Sequence, residues 1–316
     1  MRFSCIQSSV DLPHMASTAI TVGSYDGVHS GHRAMIAQLC ASARERDLQS
    51  ILVTFEPHHR IYFHRETKPF LLTTTSEKRV LLQETCLDGV IVLPFSAELA
   101  ALSARDFIKG ILVEKLGARL LLVGHDQAFG KDQCTGRDAI TACAAPLGVE
   151  VLSPAPVSSD GRVVSSTRIR GLIRTGSIAP ANHLLGAPYL VSGRVVHGRE
   201  RGRSLGYPTA NLSIEDPFKL IPGEGIYAVF ASCGGSKFAG MGYIGTRSTF
   251  GETDPVVEIA LLDTNVDLYG QELQVRFVER VRADHRFPNA DALLAQIRCD
   301  EQAIRSILAA HRDSVA

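Results

Sequence analysis

The sequence predicts a doubly wound α/β domain with a parallel sheet, followed by a small antiparallel β-barrel domain with a C-terminal helix. Three observations carry that expectation. Short β-branched or leucine-rich runs alternate with helix-period stretches through the first half, the texture turns to β after Gly186-Ala187-Pro188, and a helical stripe closes the chain. The 316 residues suit two domains at roughly 150 residues each, and the change of texture divides them as 1–185 and 186–316.

The strands of the first half are residues 20–22, 51–55, 90–94, 119–123 and 149–152, each a few residues long and apolar enough to be buried on both faces. Between them, 33–46, 76–86, 104–116 and 137–145 space apolar residues three and four apart. In 104–116, Phe107, Ile108, Ile111, Leu112 and Leu116 fall on one helical face. Strand–helix alternation implies right-handed crossovers between parallel strands. Ligands of such sheets bind at the carboxyl ends of the strands. After residue 186, the runs 189–196, 226–231, 256–263 and 272–281 alternate or are β-branched between Gly/Pro turns, as in a small barrel. Residues 289–311 carry the stripe Leu293, Leu294, Ile297, Ile304, Ile307, Leu308, with Asn289 placed to cap the helix.

Charge and cysteine usage narrow the function classes. Lys+Arg and Asp+Glu both number 33, for a formal net charge of zero, whereas proteins that wrap duplex DNA or coat anionic membranes carry a basic excess. No apolar run approaches the ~20 residues of a bilayer span, and residues 1–14, broken by Asp11 and Pro13, lack a signal-peptide core. The expectation is a cytoplasmic protein, a monomer or weak homo-oligomer, with no nucleic-acid or membrane partner. Seven scattered cysteines without a CxxC spacing predict neither a disulfide framework nor a zinc site.

Two stretches carry chemistry. Gly23-Ser24-Tyr25-Asp26-Gly27-Val28-His29-Ser30-Gly31-His32 follows the first strand and opens the first helix. Two histidines at a helix N-terminus, among free backbone N–H groups and the positive end of the dipole, suit phosphate. Gly27 and Gly31 let the backbone approach a ligand. Attack on an α-phosphate needs positioning and charge neutralisation more than a protein nucleophile. The second stretch, residues 193–211, joins a glycine-rich, arginine-dense loop (Gly198 and Arg203 among it) to Pro208-Thr209-Ala210-Asn211, whose Thr209 and Asn211 offer hard oxygens to Mg²⁺.

The Asp-Gly-Val-His-x-Gly-His stretch resembles the nucleotidylyltransferase signature, in particular that of the bacterial bifunctional riboflavin kinase/FMN adenylyltransferase (FAD synthetase) family, and the resemblance runs along nearly the whole chain. It includes Phe55-Glu56-Pro57, Val123-Gly124-His125-Asp126 with Phe129-Gly130, Ser165-Ser166-Thr167-Arg168-Ile169-Arg170, the Pro-Thr-Ala-Asn run, Glu258, Asp267-Leu268-Tyr269-Gly270, and Arg282 with Phe287. The resemblance implies a nucleotidyltransferase-like, Rossmann-like first domain that adenylylates FMN to FAD, and a barrel that phosphorylates riboflavin to FMN, both with ATP and Mg²⁺. His29, His32 and Glu258 are then catalytic, Glu258 taking the proton of the riboflavin 5′-hydroxyl. Gly23, Asp26, Gly27, Gly31, Asp126, Ser166, Thr167, Arg170, Gly198, Arg203, Thr209 and Asn211 bind nucleotide, Thr209 and Asn211 also the metal. Phe55, Pro57, Phe129, Arg247, Tyr269 and Arg282 bind flavin. Two competing readings are a kinase with a weak or retargeted first domain, and a non-catalytic flavin or nucleotide sensor.

Tyr25 stands where the family usually has Phe, Gln127 where it has an aromatic, and Tyr243 and Ser248 where it has Asn and Pro. On this reading Gln127 forfeits a stacking contact worth about 0.5–1.5 kcal/mol, so Gln127→Phe is expected to lower the KM for FMN or ATP. Gly240-Met241-Gly242-Tyr243-Ile244-Gly245 spells GxGxxG but precedes no helix, so a dinucleotide site is excluded there.

Overall fold

The computed structural model describes residues 2–6, 11–65, 69–125, 127–197, 206–249, 252–264 and 266–311. The chain forms two compact units, Met1–Thr67 with Lys78–Ser165, and Lys68–Glu77 with Ser166–Ala316.

In the first unit the strands are β1 (Arg2–Cys5), β2 (Thr18–Val22), β3 (Gln49–Glu56), β4 (Gly89–Pro94), β5 (Ala118–Leu122), a ribbon of β6 (Ala128–Phe129) with β7 (Cys134–Thr135), then β8 (Glu150–Leu152). A second ribbon joins β9 (Ser158–Ser159) to β10 (Arg162–Val163). The main sheet is six-stranded in the order β1-β4-β3-β2-β5-β8, and every pairing in it is parallel. From β2 the chain steps to β3 and β4 on one side and returns to β5 and β8 on the other. The order therefore reverses between β2 and β5, which is where open α/β sheets hold ligands. All five residues of β2 are buried, and Ile20, Val22, Ile51, Val53, Ile91 and Leu121 meet the helical stripe in one core.

The helices are α1 (Ser30–Glu45), α2 (His59–Tyr62), α3 (Thr75–Gln83), α4 (Ala97–Ala101), α5 (Ala104–Asp106) and α6 (Arg137–Ala144). Past α5 the helix continues with π-type bonding over Phe107–Val113, not as the α-helix expected, yet the stripe stands: Phe107, Ile108, Ile111, Leu112 and Leu116 are all buried. The edge strand β1 was not anticipated, since Arg-Phe-Ser-Cys is too short to show a period. The cysteine expectation is also corrected: Cys40 of α1 is paired with Cys86, Cα atoms 6.2 Å apart. A separation of 46 residues with no motif around it gives no sequence signal.

In the second unit, α7 (Ser166–Arg174) and α8 (Ile178–Leu185) lead into the strands β11 (Tyr189–Val196), β12 (Thr209–Ser213), β13 (Gly225–Cys233), β14 (Ser236–Thr249), β15 (Glu252–Leu261) and β16 (Glu272–Arg282), then α9 (Ala290–Ala310). The strands close a barrel in the order β11-β12-β15-β14-β13-β16, antiparallel throughout. Ile304 and Leu308 of α9 pack with Ile226, Met241, Ala260 and Val278 of the barrel. The Asn289 side chain accepts from the Ala292 N–H at 2.8 Å, making the expected cap. The GxGxxG residues lie inside β14, where a Cβ at Gly242 would sit 3.1 Å from Val229, so these glycines serve sheet packing.

The compact units do not divide at residue 186. Segment Lys68–Glu77, α7 and α8 belong with the barrel. The N–H groups of Phe70 and Leu71 both donate to Phe218 O, at 2.7 and 2.8 Å.

Candidate active sites

At the carboxyl end of β2 the chain turns through Gly23 to His29. Tyr25 (φ 47°), Gly27 (φ 87°) and Val28 (φ 42°) all take left-handed backbone. For a β-branched valine that conformation is strained, by about 1–3 kcal/mol, and strain of this kind persists where the surroundings over-determine it. Here Tyr25 and Val28 are almost fully buried, and the Tyr25 hydroxyl shares a 2.5 Å hydrogen bond with Thr21 Oγ1. His29 then caps α1, its Nδ1 accepting from the His32 N–H at 3.3 Å. With Nδ1 accepting, the neutral ring carries its proton on Nε2. The two imidazoles stack with centroids 3.6 Å apart. Burial above all, then His29 and Lys78, holds the His32 pKa well below the usual histidine value. His32 is therefore uncharged at neutral pH, and among the described residues its buried Nδ1 has no hydrogen-bond partner.

Lys78 of α3 is the residue that sequence reasoning missed. Its Nζ is buried and donates to Thr54 Oγ1 at 3.4 Å, which in turn donates to Ser24 O at 3.2 Å. Burial lowers its pKa, while Asp26 and Glu56 oppose the fall. The signal was present: Lys78 lies three and four residues before the buried Leu81 and Leu82, on the apolar face of the helix. A buried cation close enough to the imidazole pair to act on it electrostatically suits a site for phosphate.

At the carboxyl end of β3, Phe55 sets its ring edge-on to Phe95 at 5.8 Å, and the exposed Pro57 follows through a cis Glu56–Pro57 bond. Tyr62 and Phe63 add to Phe95 at 5.2 and 5.7 Å, leaving Phe63 47% exposed. This aromatic patch, beyond Phe55, was also unforeseen. Three expectations meet different surroundings. Phe129 is 4% exposed and packs on Phe107 in the core, so its ring supports the loop and is not laid open to a flavin. Arg170 is buried, its guanidinium 3.7 Å over the Phe70 ring and its Nε donating to Phe70 O. The Gln127 amide engages main-chain groups: it accepts from the Gly124 N–H at 3.0 Å and donates to Val22 O. Ser166 and Thr167 open α7, in the second unit. Asp126 lies outside the described residues.

The barrel gathers a second set. β12 and β15 place Asn211 opposite Glu258, and β14 places Tyr243 opposite Glu258 from the other side. Directly opposed residues share a face of the sheet. Thr209 Oγ1 donates to Glu258 Oε2 at 3.3 Å. Thr209, Asn211 and Glu258 thus put hard oxygens together, the donor chemistry that suits Mg²⁺. Burial first, then Asp284, which accepts from its hydroxyl at 3.0 Å, pushes the Tyr243 phenol up to about 12, so it stays a proton donor. Tyr269 lies against His197, ring centroids 3.5 Å apart and planes tilted by 37°, and is 42% exposed. Arg282 is committed elsewhere: Nε and Nη2 reach Asp300 at 2.9 and 2.8 Å, joining β16 to α9. Gly198, Arg203 and the Arg247 side chain lie outside the described residues.

A phosphate-suited turn at the switch point of a parallel sheet in one unit, and in the other a barrel that brings Thr209 and Asn211 to a carboxylate, define an enzyme of nucleotidyl and phosphoryl transfer. The comparisons make this specific. The family model of FAD synthetase matches residues 12–168, and that of riboflavin kinase matches residues 185–308. The bifunctional riboflavin kinase/FMN adenylyltransferase of Escherichia coli (strain K12) is 36% identical over 90% of this chain and 91% of its own length. That of Pseudomonas fluorescens is 36% identical over 95% and 96%, and that of Listeria monocytogenes 32% over 93% of each. A crystal structure described as a macrolide-efflux protein from Streptococcus pneumoniae superposes with a TM-score of 0.88 at 29% identity, covering 96% of this chain and 99% of that one. Among the described residues of the present chain, no helix is long and apolar enough to cross a membrane. The chain belongs to the bifunctional riboflavin kinase/FMN adenylyltransferase family. It is an enzyme with both activities: ATP is a substrate of each, and FMN is the product of one and the substrate of the other.

Proposed function

We propose that the barrel phosphorylates riboflavin with Glu258 as general base and that the α/β unit adenylylates FMN at the turn of residues 23–32. The observation that carries the kinase assignment is the meeting of Thr209, Asn211 and Glu258 on one face of β12 and β15. A carboxylate there can accept the proton of a primary alcohol as its oxygen attacks a γ-phosphate. Thr209 and Asn211 would hold Mg²⁺, whose charge offsets that developing on the phosphate oxygens. Tyr243, kept protonated and donating to Asp284, stands opposite the base on the neighbouring strand, and the half-exposed Tyr269 against His197 offers an aromatic face to a ring.

In the α/β unit, the stacked imidazoles, the N-terminal amides of α1 and the buried Lys78 cation supply donors to an α-phosphate and to departing pyrophosphate. The aromatic patch of Phe55, Phe63 and Phe95 offers apolar surface for the flavin, at the same carboxyl edge of the sheet. Ser166 and Thr167, at the start of α7, retain the form of an anion-binding helix end. ATP and FMN are metabolites of the cytoplasm, where this reading places the enzyme.

Glu258→Gln tests the assignment. It keeps volume and removes the proton acceptor, so FMN formation should fall by about 10²–10⁴ while FMN-to-FAD conversion stays near wild type. Chromatographic resolution of FMN from FAD reads both. Retention of most kinase activity would remove Glu258 from the base role.

A further inference from the structure

Gln127 lies just past β5 and is held at both ends. Its main-chain N–H donates to Gly124 O at 3.3 Å, and its carbonyl accepts from Thr135 Oγ1 of β7 at 3.2 Å. The side chain is thereby aimed back across the strand ends. Its Oε1 accepts from the Gly124 N–H at 3.0 Å, and its Nε2 donates to the carbonyl of Val22. Val22 is the last residue of β2, immediately before the turn that leads to His29 and His32, and Gly124 follows β5. β2 and β5 are the neighbours between which the strand order reverses. Only one orientation of the amide satisfies both contacts, since an N–H needs the oxygen and a carbonyl needs the NH₂. A side chain with both a donor and an acceptor at the end of a two-methylene stem is what this span requires.

We infer that Gln127 is a positioning residue for adenylyl transfer: its amide ties the turn after β2 to the loop after β5 across the crevice at the switch point, and so sets the distance between the groups that hold the reacting phosphate. The inference rests on adenylyl transfer taking place in that crevice. It reverses the expectation from sequence, in which Gln127 is a lost aromatic. A phenylalanine would carry neither contact and would leave the Val22 carbonyl and the Gly124 N–H to find others. Small displacements of a reacting group are costly, about 10²-fold for 1 Å, so the effect belongs to kcat more than to KM.

The test uses the full chain, with FMN formation as an internal control. Gln127→Leu and Gln127→Phe should each lower kcat for FAD formation at least tenfold, change the KM for ATP and FMN by less than about threefold, and leave riboflavin phosphorylation unaltered. Gln127→Glu supplies the readout that a merely structural role would not move. Its carboxylate can accept from Gly124 N–H but opposes the Val22 carbonyl, and only the protonated acid can donate to it. The ratio of variant to wild-type FAD formation should therefore climb as pH falls from 8 to 6, by up to about tenfold per pH unit, with an unchanged circular dichroism spectrum. Gln127→Leu or Gln127→Phe at wild-type kcat, or a flat Gln127→Glu ratio, would overturn the inference alone. A wild-type chain that makes FMN but no FAD would overturn the reading of the crevice and the inference with it.

Discussion

Gly31 is the residue on which the imidazole pair depends. A Cβ at this position would lie 3.2 Å from His29 Nδ1 and 3.3 Å from its Cε1, tighter than ordinary van der Waals contact, and the ring cannot retreat without leaving its stack on His32 at 3.6 Å. In helix interiors alanine is favoured over glycine by up to about 1 kcal/mol, so fold stability should hold while chemistry suffers. Gly31→Ala should lower FAD formation at least tenfold, with FMN formation and the thermal midpoint near wild type. Unchanged FAD formation would mean that the stacked geometry is not used. At this scale the sequence was informative where chemistry repeats as a motif: His-x-Gly-His announced the histidines and their helix end. It marked Lys78 only faintly, by its place over Leu81 and Leu82, because a lysine in a helix is ordinarily solvated.

At the scale of elements, legibility followed side-chain pattern. The β-branched strands β2, β3 and β4 and the striped helix α9 were readable because burial on a fixed face leaves a period. β12, Thr-Ala-Asn-Leu-Ser, and β14, with Gly240, Gly242 and Gly245, were not: polar or glycine-rich strands carry no period, and closure of the barrel holds them in place. Arg282 shows the same limit. Resemblance assigned it to flavin, whereas the structure uses it to join two elements. Its Nε and Nη2 engage Asp300, which is 2% exposed and also accepts from Gln296 Nε2 at 2.9 Å. Hydrogen bonds to charged groups contribute about 1.5–3 kcal/mol. Asp300→Asn should therefore lower the unfolding free energy of the barrel, read from the shift of its urea midpoint at unchanged slope, by an amount in that range, since Asn presents only one oxygen to the guanidinium and no charge. An unchanged midpoint would show that the α9 contact stands on Ile304 and Leu308 alone.

At the scale of the whole molecule, the change of texture at residue 186 marks where β character begins, whereas the compact unit that holds the barrel also takes in Lys68–Glu77 and Ser166–Leu185. Lys219 and Glu77, both fully buried, form a 2.6 Å ion pair inside the second compact unit. The ammonium also donates to Leu72 O and Leu190 O, each at 2.7 Å, and the carboxylate accepts from the N–H groups of Ser192 and Thr74 at 2.7 and 2.9 Å. Removing one partner of a buried pair costs about 3–5 kcal/mol, because the other charge remains desolvated and unpaired. A fragment of residues 185–316 lacks Glu77 and Leu72, and retains Lys219 with Leu190 O as the remaining one of those three acceptors. Its stability should fall below that of the barrel in the full chain. The direction of a single substitution then separates this cause from others. In the full chain Lys219→Met should destabilise the barrel by stranding the Glu77 carboxylate, whereas in the fragment the same change removes a stranded ammonium and should stabilise. Urea denaturation of the four proteins, followed by retention of FMN formation, reads the sign directly. If Lys219→Met shifts both lengths in the same direction, the ion pair is not what binds segment Lys68–Glu77 into the kinase fold.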